Sequence, residues 1–125
     1  MTHRIALIPG DGIGQEVTPA GVRCLEALAR RPGLSFEFSD LPYSCEYYAQ
    51  HGVMMPDDGI ERLRGHDAIL LGAVGYPGVP DHVSLWGLLI PIRREFQHYV
   101  NLRPVRLLRR LTSTLRDRGA EDINY

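Results

Sequence analysis

The run Arg4-Ile5-Ala6-Leu7-Ile8 is apolar at consecutive positions instead of alternate ones, and Pro9-Gly10 ends it. A strand that is apolar on both faces has to be covered on both, which is the situation of a parallel sheet flanked by helices. Gly10-Asp11-Gly12-Ile13-Gly14 comes next, followed by helical sequence. A glycine-rich turn between a strand and a helix brings backbone N–H groups to a place where an anion can approach closely. The spacing does not match the usual dinucleotide fingerprint, which needs glycine or alanine where this chain has Gln15, and there is no Lys-Ser/Thr pair for a P-loop. Two readings stand: a tight structural turn, or a ligand contact of another kind.

Further along, Thr18-Pro19 has the form of an N-cap followed by a first-turn proline. Val22, Leu25, Leu28 and Ala29 then share a helical face before Pro32-Gly33 stops it. Leu34, Phe36 and Phe38 alternate with polar residues as a strand does. This strand–helix–strand opening predicts an α/β fold with parallel strands and a right-handed crossover. Residues 40 to 52 read as an irregular, tyrosine-rich segment with one helical turn. Pro56 starts a short helix with Asp57, Asp58 and Glu61 at its positive end and Arg62 and Arg64 at the other, closed by Gly65.

Asp67-Ala68-Ile69-Leu70-Leu71-Gly72 is a second buried strand, running into the glycine-containing loop from Ala73 to Pro80. Ligands of open parallel sheets bind at the carboxyl ends of strands, so this loop and the Gly10–Gly14 loop are expected to face one crevice. His82 is either an acid or base there or simply exposed. Leu85 to Phe96 has a helical pattern that Pro91 should kink. Tyr99-Val100-Asn101-Leu102 reads as a strand. Arg93 thus follows an apolar helical run and Arg103 follows an expected strand. Two guanidinium forks converging from separate elements suit a small dicarboxylate, while arginines beside apolar runs are otherwise surface residues with buried stems. Residues 107 to 117 carry Arg109, Arg110 and Arg116 without interleaved aromatics, as a solvated loop would, and Ile123-Asn124-Tyr125 begins a further strand.

The 125 residues suffice for one ordinary domain and are few for a two-domain enzyme. A net charge of -1 disfavours general nucleic-acid or membrane-surface binding and leaves small-molecule chemistry as the expectation. No apolar run approaches the roughly 18 residues that span a bilayer, and the N-terminus enters a strand directly, so a cytoplasmic protein is expected. Cys24 and Cys45 have neither zinc nor disulfide-framework spacing, and Cys24, inside a helical pattern, is expected in the core. All 14 basic residues are arginine, which excludes a Schiff-base lysine, a Walker lysine or a lysine general base.

Taken together, Ile8-Pro9-Gly10-Asp11-Gly12-Ile13-Gly14 with Glu16-Val17, Leu71-Gly72-Ala73-Val74-Gly75, and Arg93 with Asn101-Leu102-Arg103-Pro104 resemble the metal-dependent β-decarboxylating dehydrogenases. That family includes isopropylmalate, isocitrate, homoisocitrate and tartrate or D-malate dehydrogenases, and the resemblance runs over essentially the whole chain. Residues 43–48 and 81–89 look most like the tartrate and D-malate branch. Trp86, Leu88 and Pro91 match neither the isopropylmalate nor the isocitrate pattern, which favours a C4 hydroxy acid.

The resemblance implies an isopropylmalate-dehydrogenase-like fold, which is not the classical Rossmann domain. It implies an oxidoreductase that uses NAD and a Mg or Mn ion to oxidise and decarboxylate a 2-hydroxy diacid, the ion acting as Lewis acid. Arg93 and Arg103 would hold substrate carboxylates, with Ile13, Gly72, Ala73, Val74, Gly75 and Tyr76 near the cofactor. The catalytic tyrosine and lysine and the metal-binding aspartates are expected beyond Tyr125, so no catalytic or metal-binding residue is assigned within the chain. The full-length enzyme is expected to be a homodimer. Residues 1–102 would belong to the cofactor-side domain and 103–125 would begin the second.

The chain is therefore expected to be the N-terminal fragment of such an enzyme, inactive alone and prone to instability or association through open strand edges. The alternatives are a fragment of an isopropylmalate-type enzyme, a non-catalytic anion-binding α/β module, and a truncated reading frame.

Overall fold

The structure is a computed structural model that describes residues 1–108 and 110–124. Arg109, in the expected loop, and Tyr125, in the expected terminal strand, lie outside the described residues. The elements in order are β1 (Thr2–Gly10), α1 (Gly14–Leu28), β2 (Ser35–Asp40), α2 (Cys45–His51), α3 (Gly59–Arg64), β3 (Ala68–Ala73), α4 (Asp81–Ser84) and α5 (Ile90–Glu95). A π-helical turn, Leu85–Leu89, joins α4 to α5.

The sheet is parallel with order β2-β1-β3, as the strand–helix–strand pattern predicts. Its central strand is the doubly apolar one: Ile5, Ala6, Leu7 and Ile8 are all buried. In the register, Leu7 lies opposite Asp40 on one side and Leu70 on the other, and Gly10 lies opposite Ala73. The carboxyl ends of β1 and β3, with the loops that leave them, are thereby neighbours.

Helix α1 starts earlier than expected. Thr18 does not cap it; the helix begins at Gly14 and runs through Pro19, and Thr18 is a buried member whose Oγ1 has no hydrogen-bond partner among the described residues. Packing accounts for the shift. A Cβ on Gly14 would run into the Pro9 carbonyl and would come within 2.6 Å of Ala73 N. One on Gly72 would meet the same Pro9 carbonyl, Thr18 Oγ1 at 2.6 Å and Gly14 Cα at 3.0 Å. The end of β1, the first turn of α1 and the end of β3 thus touch backbone to backbone. Contact with the sheet across its length outweighs the hydrogen bond that Pro19 removes. The stripe facing the sheet includes the small positions Gly14, Thr18 and Gly21, and the expected member Leu28 is exposed. Cys24 is exposed too, contrary to its expected place in the core.

The segment after β2 is more ordered than its composition suggests. Ser44 caps α2 by accepting from Tyr47 N at 3.0 Å, and Gly52 ends it in the left-handed region with φ 75°. Tyr43, Cys45, Met54 and Leu63 from this region join Ala6, Ile8, Leu88 and Ile92 in one core. Pro91 is accommodated without a break: the π turn precedes it, and Ile90 N donates to Leu85 O one residue further back than in an α-helix.

The expected strand at 99–102 is not formed. Tyr99 is 96% and Leu102 83% exposed, and no described strand lies beside them to complete a ladder. Residues 101–124 carry no helix or strand among those described. Arg106 and Asn124 form an isolated antiparallel bridge, with Leu107 N donating to Ile123 O at 3.1 Å.

Cys45 is wholly buried beside Asp11, and burial first and that carboxylate second push its thiol up to about 11. Three outcomes follow from this architecture. Gly72→Ala should destabilise the protein by about 2–3 kcal/mol through overpacking, while Gly119→Ala, where a Cβ meets nothing, should stay within about 0.5 kcal/mol in urea unfolding. At pH 8 a thiol-alkylating reagent should modify Cys24 and spare Cys45 until denaturant is added. Because Cys45 ionises later folded than unfolded, its contribution to stability should hold below its ordinary value of 9.0 and fade as pH rises toward 11.

Candidate functional site

The loops after β1 and β3 do face one crevice, of about 320 Å³, lined by Gly10, Asp11, Gly12, Gln15, Cys45, Glu46, Ala49 and Tyr76. Its floor is set by Asp11, which is 5% exposed although charged. Asp11 N donates to Ala73 O at 2.6 Å. The carboxylate accepts from three backbone groups: Cys45 N at 3.0 Å, Glu46 N at 3.2 Å and Gly75 N at 3.1 Å. One side chain therefore ties the glycine loop to the start of α2 and to the loop after β3. Bonds of this charge-assisted kind offset the burial of the carboxylate.

The glycine loop is a tight structural turn. Gly14, Gln15, Glu16 and Val17 donate their N–H groups to the carbonyls of Asp11, Gly12 and Ile13, and Gln15 Nε2 donates to Gly10 O at 2.6 Å. The first-turn donors of α1 are thus engaged within the protein, and among the described residues no arginine or histidine lines the crevice. Asp11 and Glu46 give the crevice acceptors that suit hydroxyl or amide groups.

Of the six residues expected near a cofactor, Tyr76 is among those that line this crevice, and the other five are not. Ile13 and Tyr76 are 59% and 60% exposed, and Tyr76 lines the crevice wall. Gly75 is held by Asp11. Val74 packs on the core, and Ala73 pairs with Gly10. Gly72 is occupied by its contacts with Pro9, Thr18 and Gly14, so its part is packing.

Arg93 stands in the last turn of α5 and lines an apolar cavity of about 180 Å³ with Ile69, Leu71, Leu89, Ile92 and His98. It also lines a second, more polar hollow of about 270 Å³ with His98, Val100, Asn101 and Leu102. Arg103 is exposed and lines neither, so the two arginines are not brought into one cavity. The physical reason is the unformed strand: residues 99–102 have no ladder to fix the direction in which residue 103 leaves. His82 is exposed on α4, away from the lining of the crevice.

Sequence reasoning missed Asp11, Glu46 and His98. A carboxylate between two glycines was the available signal for Asp11, since such a residue has backbone donors within reach. Nothing local marks Glu46 or His98; the chain fold alone brings them in. Among the described residues no three His, Cys, Asp or Glu side chains converge as a metal site requires. Among the same residues no helix is long and apolar enough to cross a membrane.

Comparison with known proteins adds the following. Residues 4–124 match the family described as isocitrate/isopropylmalate dehydrogenase. The chain is 56% identical to a tartrate dehydrogenase/decarboxylase of Pseudomonas putida, an alignment that covers 99% of this chain and 34% of that one. It is 55% identical to a D-malate dehydrogenase (decarboxylating) of Escherichia coli strain K12, covering 99% and 35%. The crystal structure of a β-decarboxylating dehydrogenase from Thermococcus kodakarensis, in its apo form, superposes with a TM-score of 0.63 at 32% identity, covering 86% of this chain and 31% of that one. The chain spans about a third of the length of these relatives. With its parallel β2-β1-β3 sheet and a match over nearly every residue, the chain belongs to the isocitrate/isopropylmalate dehydrogenase family.

Proposed function

We propose that this chain is the N-terminal part of an NAD-dependent, divalent-metal-dependent cytoplasmic oxidoreductase that oxidises and decarboxylates a small 2-hydroxy diacid of the D-malate or tartrate type. The observation that carries the reading is identity above one half, over 99% of the chain, to two relatives named for those activities. Residues 1–102 form the cofactor-side portion and 103–125 enter the second domain; the packed elements end at Glu95 and the chain is exposed from Gln97 to Arg106, which supports that division. The full-length enzyme works as a homodimer.

The crevice fits part of NAD. Its acceptors suit the hydroxyl- or amide-bearing portion of the cofactor, with Tyr76 in its lining and Ile13 and the loop from Gly72 to Gly75 close by in sequence to residues that line it. When bound, NAD supplies the hydride acceptor. Arg93 holds one substrate carboxylate by a paired hydrogen bond, and Arg103 joins it once the segment around Asn101 is packed in the complete protein. The residues described do not fit a Mg or Mn ion by themselves, so its ligands and the acid–base groups come from the remainder of the enzyme.

A second reading, an isopropylmalate-type enzyme, is favoured by one observation: the cavity beside Arg93 is walled by Ile69, Leu71, Leu89 and Ile92, and would take a branched alkyl group.

In an assay of NADH appearance with the full-length protein, D-malate or tartrate should be oxidised faster than 3-isopropylmalate; the reverse ranking selects the second reading. Arg93→Lys and Arg103→Lys should each raise KM for the diacid about 10- to 150-fold, the equivalent of a charge-assisted hydrogen bond of about 1.5–3 kcal/mol. An unchanged KM in either variant would remove that arginine from the substrate site.

A further inference from the structure

We propose that Asp11 is a positioning residue for the cofactor: it fixes the loop after β3 in the geometry that forms the wall of the crevice, and couples that loop to the start of α2. The inference rests on the reading that the crevice takes part of NAD.

Asp11 is rigidly mounted. Its own N–H is bound to Ala73 O, and its carbonyl accepts from Gly14 N at 2.9 Å, so backbone bonds hold it on both sides. The loop it holds is the less constrained partner. Val74 and Val79 anchor the two ends by packing on the core. Between them, Gly75 and Gly78 have φ of +149° and +97°, conformations open to glycine and strained for other residues. The loop also has an internal turn, Val79 N to Tyr76 O at 3.1 Å. Two buried groups hold this stretch to the rest of the protein: Gly75 N donates to Asp11 Oδ2, and the backbone at Gly75 and Tyr76 hydrogen-bonds the Cys45 thiol, itself beside Asp11.

Gly75 is adjacent to Tyr76, the loop's contribution to the crevice wall. The same oxygen, Oδ2, accepts from Cys45 N, whose residue lines the crevice together with Glu46. Asp11 Oδ2 is therefore shared between the loop after β3 and the start of α2. A substitution at Asp11 frees the Tyr76 wall without touching Arg93, which stands on α5 in another cavity.

The test uses the full-length enzyme with Asp11→Asn, which replaces one acceptor by a donor. We expect KM for NAD to rise about tenfold, with kcat within about threefold and KM for the diacid within about twofold. Backbone hydrogen exchange should accelerate at residues 74–78 and 45–46 while β1 and β3 keep their protection. Unchanged KM for NAD, or unchanged exchange at 74–78, overturns the inference; so does a uniform loss of kcat, both KM values and sheet protection, which marks a purely structural role. Should Asp11→Asn fail to fold, Gly75→Ala strains the loop while leaving Asp11 and its bonds to α2 in place, and must reproduce the selective rise in KM for NAD or the inference falls. Absence of NAD-dependent turnover in the unmodified enzyme would overturn the functional reading, whereas the exchange data judge the Asp11 clamp separately.

Discussion

Contact of backbone with backbone at Gly14 and Gly72 is the constraint from which the remaining geometry follows. No side chain separates the end of β1 from the first turn of α1 or from the end of β3, so three segments share a volume that a single methyl group would disrupt. That closeness draws the helix start back to Gly14 and turns its first N–H groups onto the carbonyls of residues 11 to 13. A loop with the appearance of an anion cradle becomes instead a brace. The chemical character of the crevice is a by-product: with the helix donors engaged inside, what remains at the surface is carboxylates, an amide and a phenol.

Much of the fold was legible because its signals are local. The uninterrupted apolar runs of β1 and β3, the alternation of Leu34, Phe36 and Phe38, and the charge order along α3 each need only a few neighbouring residues to be read. The errors have one cause, that the deciding partner lies far off in sequence. Thr18-Pro19 has the local form of a helix start, yet Pro9 and Ala73 decide where α1 begins. Cys24 and Leu28 are on a helix, and only the position of the sheet shows which side of it faces out. Tyr99 to Leu102 has strand composition, but a strand exists only with a ladder partner.

The site divides in the same way. Facing loops at the carboxyl ends of parallel strands follow from topology, and the crevice is where topology puts it. Arg93 was legible as a guanidinium at the end of an apolar helix, and it stands in the last turn of α5 beside an apolar cavity. Asp11 was not, since its three partners are 34 to 64 residues away and all are backbone groups, which leave no trace in the identity of the residues that carry them. Only Gly75, with a backbone conformation few residues adopt, hints at one of them.

The π turn ahead of Pro91 behaves as one extra residue wound into an otherwise regular helix. Removing any single residue between Leu85 and Leu89 would return the helix to α geometry and swing Asp81–Ser84 by about 100° relative to Arg93. The count of residues in this stretch is therefore under as much constraint as their identity. A substitution at exposed Trp86 alters a surface and one at buried Leu88 alters the core, while a one-residue deletion alters the heading of everything before it. Over evolutionary time such a helix should exchange its exposed side chains far more readily than its length.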